Sequence, residues 1–342
     1  MDTPAAAKAI TVDAADADAA AARHDADART PNPARDAAQP PEPPARVPAS
    51  WPARPFSRSV KVGRLDWHVQ LAGQGPLILM LHGTGASAHS WAGLLPGLAP
   101  HATVLAVDLP GHGFTLGAAA AQLTLPQMAQ DLEALLAAMH LPAPTLVVGH
   151  SAGAALALRF ALNAAQPPRA IIGFNPSLVP PPALYGQVLG PLLTPLFTSA
   201  PVASIVSALS ARTGFIGRLL DSTRSALTDP QRAHYAALFS MPAHVRGAMG
   251  FMAVADLPAL MHSGSKLNLP CTFVYGQQDA WIPEKSSRAA IASAFPGSTA
   301  LSWPGGHLMH EADPAKAAAL VLEVLRGVTP PPATAAAAPI RE

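Results

Sequence analysis

Five short apolar runs recur through the chain with no polar alternation: Leu77-Ile-Leu-Met-Leu, Thr103-Val-Leu-Ala-Val, Thr145-Leu-Val-Val, Ala170-Ile-Ile-Gly-Phe and Cys271-Thr-Phe-Val-Tyr. A strand with one wet face alternates, so unbroken runs of this length fit strands buried on both faces. Segments with helical periodicity separate them. The spacing predicts a helix carrying Trp91, Leu94, Leu95 and Leu98, and another over 124–140 with Met128, Leu132, Leu135, Leu136 and Met139 on one face. Later come a helix near 284–294, a short strand near 299–302 and a last helix from about Pro314 to Leu325, while Val60–Val62 and Leu65–Leu71 look like a hairpin joined near Gly63-Arg64. Strand–helix alternation of this kind folds as an α/β protein: a mostly parallel sheet covered by helices on both faces, with ligand chemistry at the carboxyl ends of the strands.

The alternation stops between about 177 and 268, a stretch helical where it is regular and punctuated by Pro and Gly. It reads as a helical lid inserted before the strand at Cys271, so the core comprises 51–176 and 269–327. The ends differ. Residues 1–50 are mostly Ala, Asp and Pro, with eight acidic against five basic side chains. They bury too little apolar surface to offset the entropy of ordering, and are expected to be disordered, as is the tail 328–342. The N-terminal stretch is too acidic for a transit peptide and has no apolar segment for a secretory signal. A formal net charge of +1 lacks the footprint of a nucleic-acid binder, and the lone Cys271 excludes a disulfide framework or a cysteine metal cluster.

One apolar run leads directly into Gly149-His150-Ser151-Ala152-Gly153, followed by the helix-forming Ala154-Ala-Leu-Ala-Leu-Arg-Phe. Strand, five-residue turn and helix is the geometry that presents a serine nucleophile, with small neighbours letting the helix fold back over the strand. A serine hydroxyl needs a histidine to take its proton and a carboxylate to fix that histidine's tautomer. Asp279, just after Val274-Tyr-Gly, and His307, just after Trp303-Pro-Gly-Gly, follow in the order this architecture requires; His310 is the rival base. Oxyanion donors are expected from the backbone N–H groups of Ala152 and of Thr84, which follows His82-Gly83. His82, His112 and His150 are loop-shaping residues at the mouth. The setting His307-Leu-Met-His-Glu lacks the H-E-x-x-H spacing, so neither a metal nor a cofactor is expected.

These motifs carry a resemblance. HGTGAS, DLPGHG, GHSAG and GGH resemble the α/β-hydrolase superfamily in its lid-bearing branch. Trp51-Pro52, LDWHVQ, HGTGASAHSW, DLPGHGFT, VVGHSAGAA, PAHVRGAMGFMA and GGHLMHE are more specifically similar to the BchO-type magnesium-chelatase accessory proteins of bacteriochlorophyll biosynthesis, over about residues 51–326. The resemblance implies a role beside magnesium-chelatase subunits in handling tetrapyrroles, in the cytoplasm or peripherally at the photosynthetic membrane. It does not define a reaction.

Ala170 to Ala211 contain no Asp, Glu, Lys, Arg or His. Packing of lid on core, or an apolar wall for a hydrophobic substrate or membrane surface, each account for this; Pro191, Pro195 and Pro201 break any transmembrane span. His82, His150, Trp281, Met249 and Met252 are the candidate pocket residues. Three functions remain open: a serine hydrolase of a hydrophobic ester-like substrate, a non-catalytic porphyrin-binding or chaperone module for magnesium chelatase, and a generic esterase or C–C hydrolase unrelated to tetrapyrroles. A serine nucleophile argues against dehalogenase or epoxide-hydrolase chemistry, which in this fold uses an aspartate.

Overall fold

The computed structural model describes residues 46–179 and 199–329. The expected tail after Thr329, most of the expected N-terminal disordered segment and lid residues 180–198 lie outside them. Order begins earlier than the composition implies: Arg46 pairs with Asp66 at 2.6 Å and Val47 is buried. An arginine followed by a valine is enough to anchor the chain before Trp51.

The hairpin forms β1 (Ser57–Val62) and β2 (Leu65–Ala72), with Val62 opposite Leu65. Gly63 takes φ +54° in the two-residue turn, as a right-twisted hairpin requires. β3 (Leu77–Leu81), β4 (Thr103–Val107), β5 (Leu146–His150), β6 (Ala170–Phe174), β7 (Cys271–Gly276) and β8 (Thr299–Trp303) complete one eight-stranded sheet in the order β1-β2-β4-β3-β5-β6-β7-β8. The β1–β2 and β2–β4 pairs are antiparallel and the rest parallel.

Why the central runs are apolar throughout is visible in β3. Leu77, Leu79 and Leu81 face one core cluster while Ile78 and Met80 face the other, because successive side chains point to opposite faces. Helices α1 (Leu95–Leu98), α2 (Leu125–Ala138) and α3 (Ala152–Asn163) cover the first strands. Thr124 caps α2 by accepting from the Gln127 N–H. The helix expected through Trp91 to Leu98 is broken into a 3-10 turn at Ala88–Trp91 and the short α1. Pro96 supplies no N–H, and Gly93 approaches the last helix so closely that a Cβ would lie 2.9 Å from Pro314 Cβ.

Between β6 and β7 run α4 (Ala200–Arg212), α5 (Phe215–Ser222), α6 (Asp229–Phe239), α7 (Pro242–Val254) and α8 (Leu257–His262). Helix α4 turns Ser207 and Ser210 inward and leaves Ile205 and Leu209, one turn apart, 59% and 53% exposed. Within the described part of the charge-free run, α4 is therefore not wholly packed inside. Beyond β7, α9 (Glu284–Ala294), α10 (Met309–Ala312) and α11 (Pro314–Val328) close the fold. No helix among the described residues is long and apolar enough to cross a membrane.

Candidate active site

Ser151 stands at the tip of the turn between β5 and α3 with φ +50° and ψ −118°, a backbone state that costs energy and persists only where the surroundings impose it. The flanking glycines are those surroundings. A Cβ on Gly153 would lie 2.1 Å from the Leu81 carbonyl oxygen, and one on Gly149 would lie 2.4 Å from the Gly153 oxygen. The Ser151 N–H is held by the Phe174 carbonyl at 2.9 Å, and the Ser151 carbonyl accepts from Ser177 at 3.1 Å.

Asp279 and His307 arrive from the exits of β7 and β8. His307 Nδ1 lies 2.7 Å from Asp279 Oδ2, and both side chains are buried. The other carboxylate oxygen accepts from the Trp281 and Ile282 amides at 2.8 and 3.0 Å, so the carboxylate is fixed by its own loop. The His307 carbonyl accepts from His150 Nε2 at 2.9 Å and from Asn175 Nδ2 at 2.8 Å. The histidine loop is thus bonded to the residue preceding Ser151. Neither the Thr84 nor the Ala152 amide has an acceptor among the described residues.

Several buried histidines around this turn, His82, His112, His150, His244 and His310, have their pKa lowered by burial. His82 is fully buried, with Nδ1 on the Gly83 carbonyl and Nε2 accepting from Leu109 N–H; it braces the 82–85 loop and offers no face to a substrate. Burial pushes its pKa down to about 4, and those of His112 and His244 to about 3. His150 donates Nε2–H to the His307 carbonyl, which leaves Nδ1 without a partner. His310 packs against Trp91 and His150, with ring centroids 4.6 and 4.4 Å away, and burial holds it near 3. Its Nε2 meets Ser90, and the Asp279 carboxylate goes to His307 instead.

Of the other expected pocket residues, Trp281 lies with its ring 5.1 Å from that of His307 and remains 41% exposed. Met249 is half-buried, while Met252 is 72% exposed and points to solvent from the outer side of α7.

Two sets of residues escaped the sequence reading. Asn175, fully buried at φ +43°, donates to the Gly306 and His307 carbonyls and accepts from the Gly276 N–H, stapling the Asp279 loop to the His307 loop. Its signal was a polar residue directly after an all-apolar strand and before Pro176. The second set belongs to the insertion. The Thr223 carbonyl accepts from His307 N–H, Ser225 Oγ from Leu308 N–H and Ser222 Oγ from Trp281 Nε1, at 2.8, 2.8 and 3.0 Å. Tyr235 OH and Ser90 Oγ both donate to Glu311 Oε1 at 2.5 Å, and Gln231 Nε2 donates to the Glu311 carbonyl. No local pattern marks such partners.

A strained serine at a strand–helix turn, in a sheet of this order, defines an α/β hydrolase architecture, and the chain belongs to the alpha/beta hydrolase family, whose model matches residues 78–320. Among particular relatives, it is 35% identical over 286 residues to the magnesium-chelatase 30 kDa subunit of Rhodobacter capsulatus, covering 83% of this chain and 99% of that one. It is 30% identical over 269 residues to the pimeloyl-[acyl-carrier protein] methyl ester esterase of Chromobacterium violaceum, covering 76% of this chain and 99% of that one. A thermophilic esterase from Thermogutta terrifontis superposes with a TM-score of 0.61 at 21% identity, over 80% of this chain and 98% of that one; that likeness speaks for the fold.

Proposed function

We propose that the chain is a serine hydrolase of a hydrophobic, ester-like substrate, working in the tetrapyrrole pathway that magnesium chelatase serves. The observation that carries the chemistry is the buried 2.7 Å contact between His307 and Asp279 on a loop bonded to the elbow of Ser151. In this reading Ser151 Oγ attacks the acyl carbon and its proton passes to His307 Nε2. Asp279 holds the imidazole in the required tautomer and stabilises the imidazolium. The Thr84 and Ala152 amides receive the negative charge that develops on the carbonyl oxygen. His307 then returns the proton to the departing alkoxide; a water molecule, deprotonated by the same imidazole, attacks the acyl-serine, and His307 gives that proton to Ser151 Oγ as the acid leaves.

The pathway rests on the relationship to the R. capsulatus subunit, and ester chemistry on the relationship to the methyl ester esterase. The outward Ile205 and Leu209 on α4 support contact with a lipophilic surface and, with it, peripheral membrane contact. Chain-length preference tests the hydrophobic substrate. Octanoyl esters should be turned over more efficiently than acetyl esters, by roughly tenfold for each two methylenes buried at about 0.8 kcal/mol each; equal kcat/KM would remove the apolar acyl site.

A second reading is favoured by the relative's being named a chelatase subunit: a porphyrin-binding or chaperone module in which the serine is not used. Ser151→Ala in the host separates the two. Lost pigment supports catalysis, whereas unchanged pigment supports binding.

A further inference from the structure

The loop after β4 and helix α7 enclose a pocket of about 110 Å³ whose walls include Gly117, Leu116, Leu123, His244 and Arg246. None of its lining residues belongs to the serine turn, the 82–85 loop or the Asp279 and His307 loops. The pocket is rigidly built. A Cβ on Gly247 would lie 1.8 Å from the Gly111 oxygen, so helix and loop touch backbone to backbone. His244 accepts from the Gly113 N–H at Nδ1 and approaches the Gly85 carbonyl with Nε2 at 3.2 Å, which fixes its tautomer and leaves it neutral.

That leaves one formal charge in the lining. Arg246 is exposed and makes no ion pair or hydrogen bond among the described residues. The amides of Gly117, at φ +92°, and of Ala118 also have no acceptor among the described residues. An unpaired guanidinium beside free backbone N–H groups attracts an anion. Leu116 and Leu123 offer apolar surface beside it. At about 110 Å³, below the ~150 Å³ that holds a benzene ring, the pocket takes the anionic head and the first methylenes, and the half-exposed Leu116 marks the open side along which the rest of a chain leaves.

We infer that this pocket is a second ligand site, which takes a carboxylate on a short alkyl chain, either as a free acid or as the arm of a larger molecule. Arg246 and the Gly117 and Ala118 amides hold the carboxylate, and Leu116 and Leu123 hold the stem. The site is independent of whether Ser151 is catalytic.

The test is an amide-resolved NMR titration of the full chain at low salt with hexanoate, hexanamide and inorganic phosphate. Saturable hexanoate shifts are expected at Gly113, Gly117 and Ala118. Hexanamide, of equal shape without the charge, should bind at least tenfold more weakly, and so should phosphate, which lacks the stem. Arg246→Gln should weaken hexanoate at least tenfold and Arg246→Lys should restore part of it; Arg246 is exposed, so both variants should fold. Equal binding of hexanamide, unchanged affinity in Arg246→Gln, or shifts confined to the Ser151 turn would each overturn the site. Phosphate binding as tightly as hexanoate would overturn the carboxylate-and-stem assignment.

Discussion

Glu311 is a buried carboxyl that accepts two hydroxyl hydrogen bonds at a single oxygen. Burial pushes its pKa up to about 7 from an ordinary 4.5, against the opposing pull of Ser90 and Tyr235. The unfolded chain releases this proton near 4.5, whereas the folded chain keeps it to about 7. Unfolding between those values releases a proton, so the contribution to stability is complete below about 4.5 and is lost as pH rises through about 7. At about 1.4 kcal/mol per pH unit, the loss reaches about 3 kcal/mol. The titratable neighbours do not interfere between pH 5 and 8. Burial holds His310, 3.9 Å away, near 3, and raises Tyr235 well above its ordinary value. A glutamine accepts from both hydroxyls and never ionises. Glu311→Gln, measured by urea unfolding, should therefore gain about 2 kcal/mol relative to wild type on going from pH 5 to pH 8. A stability difference that is constant with pH, or larger at pH 5, would refute the reasoning.

Other outcomes follow from the same geometry. Ser151→Ala and His307→Ala should each abolish labelling by a fluorophosphonate probe; His310→Ala should lose about 3 kcal/mol of stability through its emptied ring site and still be labelled. Asp279→Asn should fold, because its oxygen still accepts from Trp281 and Ile282, yet lose about four orders of magnitude in ester hydrolysis as the amide forces the wrong His307 tautomer; near-normal turnover would point to another acid, and Asp256 would be tested next. Gly153→Ala drives a methyl group into the Leu81 carbonyl and should cost about 3 kcal/mol or more, seen as a lowered melting temperature together with lost labelling.

Local chemistry made much of this molecule legible. Buried strands announce themselves because both faces must be apolar, and Gly149 and Gly153 because only glycine fits the approach of α3 to β5. Thr124 marks the start of α2 through its capping oxygen. What stayed hidden was long-range or sterically conditional. Pro96 and the two glycines around it split a helix whose apolar spacing looks continuous. Asn175 gains its meaning only when two loops from distant strands close on it. Met252 has the composition of a ligand contact, but the rotation of α7 sends it to solvent. The inverted α4 looks like core by composition, and only its packing shows Ile205 and Leu209 facing out.

The three bonds from Ser222, Thr223 and Ser225 to Trp281, His307 and Leu308 have a consequence for modularity. His307 and Asp279 sit in the sheet's own loops, but the backbone that positions them is partly held by the insertion. Exchanging that insertion for another would remove the carbonyl beneath His307. A chain cut between α5 and α6 would keep its sheet and loosen the anchor of His307. The setting of His307 therefore depends on the folding of residues more than seventy positions from Ser151, and under the proposed chemistry no excised core should be active.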